Sequence, residues 1–490
     1  FHSKYNVAII MKEKCGIFGI YSTNNTNVTP LIISALQALQ HRGQESWGIA
    51  IDNNQPVKQM GLVSQTSFDV LNNKKNEGTC GIGHVRYSTL GHSMLENAHP
   101  LTIGDQFRIA HNGTIVNLKQ LKNGISDDYV ISKGITDTKL LGLRLLQEYN
   151  NTNKNLFKTF EKLNSEIVGA YTLAIIDSNN IVYGVRDPVG FRPLCIGYHQ
   201  PSKSYIISSE SCALDAIEAK LIRDVEPGEI VSLSENGLKS YKFNTEKTRA
   251  HCSFEYIYFA HPSSSIDGVN VYSARKQIGQ ILAKNKKLKA DVIIPVPDSA
   301  RPAALGYSQA SNINLEEGLI KDRYKKRGSL RSFIEPTQKR RESIVKQIIP
   351  ISASIKNKDI IVVDDSLVRG TSLKVLTKTL KKAGAKKIKL AFTFPPISFP
   401  CYMGIDFPTQ NELLAYKVLS GSQDFKLVAK NISKKLNVDE VIFNDLNGLS
   451  QGIGIPLDNL CTACITGDYS ALKYKPDFKS KRERKTYHDC

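Results

Sequence analysis

The sequence lacks any hydrophobic run long enough to cross a membrane. None of its apolar stretches approaches the roughly 18 residues that a spanning helix needs. Residues 1–14 also lack the apolar segment of a secretory signal, and they contain no arginine, which is uncommon in an organelle-targeting peptide. We therefore expect a soluble protein with a cytoplasmic location and no membrane partner.

Acidic residues are scarce relative to basic ones. The 46 Asp and Glu residues face 65 Lys and Arg residues, which gives a net charge of +19 at pH 7. A nucleic-acid partner would require a concentrated basic patch, whereas these lysines are spread along the whole chain, so we expect no nucleic acid. One dense basic run at 323–331 predicts a mobile lid that excludes water from a phosphorylated substrate, with a charged surface loop as the alternative.

Cysteine is too sparse for a disulfide framework. Nine cysteines in 490 residues are more typical of reduced thiols that serve catalysis or metal binding. The hydrophobic share of 41% and the charged share of 23% are those of a globular protein, and the length allows two large cores. We place the boundary between the two domains at about 240–255.

The clearest motif is a buried strand that ends in a binding loop. The β-branched run 360–363 is followed by Asp364 and Asp365, and helical spacing resumes at Leu373. Loops between a strand and a helix N-terminus are where open α/β sheets bind ligands, and their N–H groups can hold a phosphate. The acids can bind sugar hydroxyls or Mg²⁺. The motif predicts a ribose 5-phosphate site, with a capped turn as the alternative; the other ligands would be Ser366, Arg369, Gly370, Thr371 and Ser372.

A second strand, expected at 291–297, ends in a turn of the same kind. The segment 298–301 suits pyrophosphate and Mg²⁺, and we expect Ser299 to join Asp364 and Asp365 as a magnesium ligand. Together the two motifs resemble the 5-phosphoribosyl 1-pyrophosphate (PRPP) signature of type I phosphoribosyltransferases. The resemblance implies that the acids hold the ribose hydroxyls, that the loop holds the 5-phosphate, and that the sheet is parallel.

The first half carries an ordered set of motifs that suit amide hydrolysis at a thiol. Cys15 opens an apolar strand after a charged segment, and a chain cut before it would carry an α-amine of pKa about 7.7–8.0 as general base. A buried strand cysteine is the alternative. Further along, Arg86 could clamp a carboxylate, Asn112 and Gly113 could donate to an oxyanion, and Asp137 could bind an ammonium group.

These motifs resemble the glutaminase domain of N-terminal-nucleophile (Ntn) amidotransferases over about the first 240 residues. The resemblance implies an αββα fold with Cys15 as nucleophile, Asn112 and Gly113 as oxyanion donors, and Arg86 and Asp137 as glutamine ligands. It makes Trp47 a departure, because a small residue is expected there. The segments 186–194, 209–212 and 224–229 match the family as scaffold.

In this order the two halves are similar to the glutamine PRPP amidotransferase family. The resemblance implies transfer of ammonia from glutamine to C1 of PRPP, which gives 5-phosphoribosylamine, glutamate and pyrophosphate in the first step of purine synthesis. It also implies purine nucleotides as feedback inhibitors and a homo-oligomer, a tetramer by family resemblance. His261, where the family commonly has Arg, and a lid a few residues longer than usual are departures.

Two rival functions remain open at this point. A different Ntn-type amidotransferase would keep the glutaminase and send ammonia elsewhere, but it would have no use for the loop at Asp364 and Asp365. A non-catalytic PRPP-sensing protein would have no use for the glutaminase set. We therefore expect a leader at 1–14, a glutaminase domain at 15–245, a phosphoribosyltransferase domain with a cluster-binding segment at 250–472, and a mobile charged tail at 473–490.

Four cysteines form a metal-site pattern in the second half. A C-x-x-C pair with two distant thiols suits either a [4Fe-4S] cluster or a structural zinc, and the spacing alone does not separate them. The family resemblance implies the cluster, because these positions match the ligands of its iron–sulfur members. The four are Cys252, Cys401, Cys461 and Cys464, whereas we expect Cys80, Cys195, Cys212 and Cys490 to be structural or exposed.

Overall fold

The computed structural model describes most of the chain. The described residues are 15–87, 94–126, 136–244, 246, 248–321, 348–405, 407, 409–419 and 424–474. The expected leader, the basic run at 323–331 and the tail from 475 onward, including Cys490, lie outside them. Within the described residues, no helix combines the length and the apolar character needed to span a bilayer.

The first half contains two antiparallel sheets that pack against each other. The seven-stranded sheet has the order β11-β9-β10-β1-β4-β2-β3, and the six-stranded sheet has the order β13-β12-β8-β7-β6-β5. The strands are β1 (Gly16–Ser22), β2 (Ser46–Ile51), β3 (Val57–Met60), β4 (Cys80–Arg86), β5 (Leu101–Ile103), β6 (Phe107–Ile115), β7 (Gly169–Asp177), β8 (Val182–Arg186), β9 (Cys195–His199), β10 (Ser204–Ser208), β11 (Lys220–Asp224), β12 (Glu229–Ser234) and β13 (Gly237–Lys242).

Helices cover the outer faces of both sheets. The helices of this half are α1 (Thr29–Ala38), α2 (Val63–Thr66), α3 (Phe68–Leu71), α4 (Leu118–Asn123), α5 (Asp137–Asn151), α6 (Leu156–Leu163) and α7 (Cys212–Asp215). Apolar residues of α1 and α7 pack on the seven-stranded sheet, and those of α5 and α6 pack on the six-stranded sheet. The result is the four-layer αββα arrangement that the sequence motifs predicted.

Trp47, the departure noted in the sequence, is accommodated in this half. Its side chain is completely buried in the cluster between α1 and the seven-stranded sheet. Its ring Nε1 donates a hydrogen bond to Thr66 Oγ1 at 3.0 Å. A buried indole whose N–H is hydrogen-bonded adds a large apolar surface to the core without leaving a buried donor unpaired. Tryptophan therefore fits this position.

The second half is built on a parallel sheet with the order β17-β20-β21-β22. Two layers of helices bury it from both faces, which explains why the run 360–363 is continuously apolar and not alternating. The strands are β14 (His251–Cys252), β15 (Ser265–Ile266), β16 (Val269–Asn270), β17 (Val292–Pro295), β18 (Leu319–Lys321), β19 (Ile348–Pro350), β20 (Asp359–Asp364), β21 (Lys387–Phe392), β22 (Glu440–Phe443) and β23 (Leu460–Cys461).

The helices of this half begin directly after the first short hairpin. They are α8 (Val271–Asn285), α9 (Arg301–Ser311), α10 (Ser352–Ile355), α11 (Thr371–Lys382), α12 (Leu414–Leu419), α13 (Phe425–Leu436), α14 (Leu446–Ile453) and α15 (Ala463–Thr466). One turn of π-helix, Glu255–Phe259, precedes them. A single apolar cluster joins this turn to the first half, because Val189 and Phe191 pack with Phe254 and Phe259.

Helices α8 and α9 cross unusually closely because each presents a glycine to the other. A Cβ added at Gly279 would lie 1.9 Å from the carbonyl oxygen of Ala303. A Cβ added at Gly306 would lie 1.9 Å from the carbonyl oxygen of Lys276. Backbone oxygens cannot move aside as flexible side chains do, so the crossing requires glycine at both positions.

We predict that Gly279→Ala destabilises the protein despite the better helix propensity of alanine. Overpacking against fixed backbone costs about 1–3 kcal/mol, which exceeds the gain of about 1 kcal/mol that alanine offers in an open helix. Chemical denaturation would measure the loss. Gln277→Ala, an exposed position on the same helix, is the control, and we expect it to change stability by less than about 0.5 kcal/mol. Equal stability of the two variants would show that the helices have room for a methyl group.

Candidate active sites

The first site lies at the start of β1, next to the end of β4. Gly16 pairs with Val85 in the antiparallel ladder, which places Cys15 beside Arg86 one position further on. Cys15 is buried, and its carbonyl oxygen accepts a hydrogen bond of 2.9 Å from Arg42 Nε. The Ile17 N–H donates to Ser209 Oγ at 2.9 Å, so the backbone on both sides of Gly16 is fixed.

Asn112 and Gly113 lie on β6 of the second sheet, and β6 contacts both β1 and β4. Gly113 has φ of +145°, and a Cβ there would lie 2.0 Å from the Ala170 carbonyl oxygen, so only glycine fits. The Asn112 side chain is buried, and its Nδ2 has no hydrogen-bond partner among the described residues. A buried amide donor without a partner is costly. This donor is therefore well suited to a ligand oxygen.

Asp137 is the first residue of α5 and is also buried at this end of β6. Its Oδ1 accepts from the Thr138 N–H at 2.8 Å, and its Oδ2 accepts from the Ile115 N–H at 3.3 Å. The two bonds hold the carboxylate at the end of the strand that carries Asn112 and Gly113. The structure thus places Cys15 beside Arg86 in one sheet, and Asn112, Gly113 and Asp137 near one another at the strand of the facing sheet that contacts it.

Three buried histidines that sequence reasoning missed support this strand. His84 Nε2 lies 3.1 Å from the His111 carbonyl oxygen, and His99 Nδ1 accepts from the His111 N–H at 3.3 Å. Burial lowers the pKa of all three, that of His84 to about 3, so they are neutral at physiological pH. The sequence signal for His84 and His111 was a histidine within an apolar strand close to a predicted ligand, Arg86 or Asn112, whereas His99 lies before β5 and had no such signal.

The second site lies at the carboxyl end of β20. Because β17 and β20 are parallel neighbours, with Pro295 beside Val363, the turn after β17 meets the loop after β20. Ser299 Oγ donates to Asp365 Oδ2 at 2.6 Å, and Ser366 Oγ lies 3.1 Å from Asp365 Oδ1. The expected strand at 291–297 is shorter than predicted and ends at Pro295, which leaves the following residues free to form this turn.

The loop then turns sharply into α11. Gly370 caps the helix with φ of +75°, and a Cβ there would lie 2.5 Å from Leu414 Cδ2. Thr371 and Ser372 form the first turn of α11, where backbone N–H groups and the helix dipole favour an anion. Arg369 Nε lies 3.5 Å from Glu412 Oε1, so this predicted ligand points toward an acid.

The two acids of this loop, Asp364 and Asp365, repel each other when both are ionised. Burial and the neighbouring Asp365 raise the pKa of Asp364 well above its ordinary value. Burial also raises the pKa of Asp365, although hydrogen bonds from Ser299 and Ser366 oppose the shift. Two adjacent carboxylates with Ser299 beside them are oxygen ligands of the kind that Mg²⁺ prefers, so a divalent cation would relieve the repulsion.

The four cysteines of the C-x-x-C pattern line one cavity. Strands β14 and β23 pair in parallel and place Cys252 opposite Cys461. Cys401 and Cys464 line the same cavity, together with a mostly apolar set of side chains. Sequence positions more than 200 residues apart therefore converge on one sulfur-rich pocket. The other lining residues are Phe191, Ser253, Phe254, Met403, Ile405, Phe407, Ala463, Tyr469 and Leu472.

A second group of metal-binding residue types lies between the two halves. Donor atoms of His41, Glu210 and Cys212 lie within 4.8 Å of one another. The carboxylate of Glu210 is already engaged, since Arg42 and His41 contact one oxygen and the His261 N–H donates to the other at 2.7 Å. The group is better described as a paired buried acid than as a metal site.

Each half of the chain matches a known domain family. The glutamine amidotransferase domain family matches residues 84–216, and the phosphoribosyl transferase domain family matches residues 271–398. An amidophosphoribosyltransferase of Methanothermobacter thermautotrophicus is 41% identical over 471 residues, which cover 94% of this chain and 95% of that protein.

Two solved structures share the whole architecture. One is the glutamine phosphoribosylpyrophosphate (PRPP) amidotransferase of Bacillus subtilis complexed with ADP and GMP, with a TM-score of 0.80, 36% identity, and coverage of 93% of this chain and 97% of that chain. The other, described as the allosteric regulatory enzyme of purine biosynthesis, has a TM-score of 0.79, 36% identity, and coverage of 93% and 96%. The two-domain fold predicted from the motifs is confirmed.

We predict that Asp364→Asn stabilises the ligand-free protein. A raised carboxyl pKa means that the folded protein binds this proton more tightly than the unfolded chain, so ionisation above the unfolded pKa of about 4 costs stability. Removing the charge should add about 0.5–2 kcal/mol at pH 7–8, and the gain should shrink as the pH falls toward 4.

Thermal denaturation of both proteins across this pH range would measure the difference, with and without magnesium chloride. We expect Mg²⁺ to stabilise the wild type more than the variant. Asp458→Asn, an exposed acid far from the loop in sequence, is the control and should leave the pH dependence unchanged. A pH-independent gain for Asp364→Asn would contradict the repulsion between the two acids.

Proposed function

The chain belongs to the amidophosphoribosyltransferase family, and from this membership we propose how its two sites divide the reaction. The enzyme catalyses the first step of purine synthesis, in which ammonia from glutamine is transferred to C1 of PRPP, giving 5-phosphoribosylamine, glutamate and pyrophosphate. Its relatives at this identity carry both domains over nearly their whole length. The two rival functions, a different amidotransferase and a non-catalytic sensor, are therefore set aside.

In the glutamine half, Cys15 is the nucleophile in our proposal. Its thiol attacks the glutamine carboxamide, and its own α-amine, once the chain is cut before Cys15, takes the thiol proton. Asn112 Nδ2 and the Gly113 N–H stabilise the oxyanion. The observation that carries this assignment is the buried Asn112 Nδ2 that lacks a partner among the described residues. Arg86 binds the glutamine carboxylate, and Asp137 binds its ammonium group.

In the PRPP half, the loop after β20 binds the substrate in our proposal. Asp364 and Asp365 hold the ribose hydroxyls, and the N–H groups and hydroxyls at the start of α11 hold the 5-phosphate, since this end of the helix favours anions. Ser299 hydrogen-bonds Asp365 and so couples the pyrophosphate turn to this loop. A Mg²⁺ ion on these oxygens would neutralise charge on the departing pyrophosphate.

The ammonia must travel between the sites without meeting bulk water, where it would become protonated and lose its nucleophilicity. The apolar cluster that joins the halves contains Val116 and Ala170, neighbours of the oxyanion segment, as well as Val368 of the PRPP loop. This continuous apolar contact supports a shielded route. We also propose domain limits of 15–245 and 250–472, since β13 ends at Lys242 and β14 begins at His251.

We propose that Cys252, Cys401, Cys461 and Cys464 hold a [4Fe-4S] cluster. Four thiol-bearing residues around one largely apolar cavity fit such a group. A structural zinc would fit the same four thiols. The family resemblance supports the cluster, because these four positions match the ligands of the iron–sulfur members.

Regulation and assembly are proposed from the relatives alone. The Bacillus subtilis enzyme was solved in complex with ADP and GMP, so we propose that purine nucleotides inhibit this enzyme by feedback. We propose a homo-oligomer, a tetramer as in the family. A cytoplasmic location fits a role in nucleotide synthesis.

The proposed division of labour predicts that Cys15→Ala separates the two activities. Loss of the nucleophile should reduce glutamine-dependent synthesis of 5-phosphoribosylamine by on the order of 10³-fold or more. Synthesis from added ammonia should persist, because it needs only the PRPP site. Cys195→Ala, a buried cysteine of β9 outside both sites, should keep both activities. Loss of both activities in folded Cys15→Ala would refute the two-site assignment.

The cluster proposal predicts a brown protein after anaerobic purification. Iron analysis should give about four irons per chain, as this cluster type requires. Cys464→Ser should lose the colour and most of the iron, because one of four ligands is gone. Cys212→Ser, a buried cysteine outside the cavity, should retain both. A colourless wild-type protein with stoichiometric zinc would contradict the proposal.

A further inference from the structure

A buried arginine connects the nucleophile to the opposite half of the molecule. Arg42 Nε donates to the Cys15 carbonyl oxygen at 2.9 Å. The other two guanidinium nitrogens of Arg42 donate to Glu255, at 2.7 Å to Oε1 and at 3.0 Å to Oε2. Both side chains are 2% exposed. One planar group thus binds the backbone of Cys15 with one edge and a carboxylate of the second half with another.

Glu255 is held from its other side by a second arginine. Arg192 Nη1 donates to Glu255 Oε1 at 2.8 Å, and Arg192 Nη2 donates to the Gly404 carbonyl oxygen. Burial alone would raise the pKa of Glu255, but the charges of Arg42 and Arg192 outweigh it and keep the pKa below its ordinary value. The carboxylate is therefore ionised, and its position is determined by two fixed cations.

The position of the Cys15 carbonyl matters because of where the chain is proposed to begin. A first residue has no preceding peptide unit to anchor it, so rotation at Cys15 would move its amine and thiol together. The β1 pairing holds the residues after Cys15. The bond from Arg42 holds the carbonyl of Cys15 itself. A displacement of about 1 Å at reacting groups can cost 10²-fold in rate.

We propose that Glu255 is a positioning residue for the glutamine reaction. It belongs to the phosphoribosyltransferase half, touches no substrate, and acts by fixing Arg42, which in turn fixes Cys15. Arg42 also contacts Glu210, but that carboxylate is shared with His41 and Ser264 Oγ, whereas Glu255 binds Arg42 through both of its oxygens. This inference rests on the proposed role of Cys15 as nucleophile.

The chain offers a matched control for general loosening of the interface. Arg186 of the first half forms a bidentate pair with Asp267 of the second half, at 2.7 Å and 2.9 Å. This pair is likewise between the halves, and the contacts described for it do not include Cys15 or Arg42. Asp267→Asn therefore removes a comparable charge without touching the proposed route to the nucleophile.

The test compares Glu255→Gln with Asp267→Asn in the full-length enzyme. We would measure the rate at which the glutamine analogue 6-diazo-5-oxo-L-norleucine labels Cys15, and kcat and KM for glutamine hydrolysis. For Glu255→Gln we expect labelling and kcat to fall about 10- to 100-fold, with KM changed by less than about twofold because Arg86 and Asp137 are intact. For Asp267→Asn we expect labelling near the wild-type rate.

Arg42→Lys provides a second variant in case Glu255→Gln folds poorly. A lysine keeps the positive charge opposite Glu255, but its single ammonium group cannot bind the Cys15 carbonyl and the carboxylate as the planar guanidinium does. We therefore expect the same result as for Glu255→Gln, a lower kcat with a nearly unchanged KM. Ammonia-dependent synthesis reports folding of the second half in each variant. Wild-type labelling rates in Glu255→Gln, or equal slowing in Asp267→Asn, would overturn the proposal for Glu255. Labelling of the wild type at a residue other than Cys15 would overturn the nucleophile assignment as well.

Discussion

The relative placement of the two halves depends on buried charges that must find partners across the interface. Arg42 and Arg192 of the glutaminase half share Glu255 of the other half, and Arg186 binds Asp267, with arginine side chains at most 2% exposed. A buried ion pair adds little net stability compared with apolar packing, but removing one partner leaves an uncompensated charge at a cost of about 3–5 kcal/mol. If the halves docked in another arrangement, several of these buried charges would have no partner. The network therefore determines how the two halves dock on each other, and it contributes less to the stability of that docking.

Around these charges the interface is apolar. An apolar interface suits a reaction in which neutral ammonia passes between two sites, because it keeps bulk water away. The aromatic side chains of Phe254, Phe259, Phe394 and Phe407 pack edge to face at the junction. Water would have to displace this packing to reach the space between the sites. The segment that contains Glu255 also begins at the four-cysteine cavity, which Cys252 and Phe254 line. One short segment thus contributes to the interface, to the cysteine pocket and to the hydrogen bonds that connect Glu255 through Arg42 to Cys15.

The sequence predicted local features well because their determinants are local. The loop after β20 and the buried strand before it follow from patterns within a few residues, whereas the αββα fold and the role of Gly113 were implied by the family resemblance. The charged network could not be found this way, since Arg42 and Glu255 are separated by 213 positions. The family resemblance implied the convergence of Cys252 with Cys461, but the two-residue parallel pairing that produces it is too short to be predicted from the residues themselves. Cys15 lies beside Arg86 and Ser299 lies beside Asp365, as expected, and the chemical roles of all the predicted site residues stay predictions.

The departure at His261 shows how the network tolerates variation. The resemblance placed Arg at this position, and an arginine beside Arg42 and His41 would be expected to seek the carboxylate of Glu210. Here the contact is made by the backbone instead, because the His261 N–H donates to Glu210 Oε2 at 2.7 Å while Ser264 Oγ donates to the same oxygen. The His261 ring turns away to Ser263 Oγ at 2.8 Å, and lies 5.5 Å from the ring of His41. Since a backbone donor is independent of the side chain, Glu210 keeps its partners and Arg42 keeps its place. The His261 side chain therefore lies at the edge of the network, and the contacts described for it do not include Arg42 or Cys15.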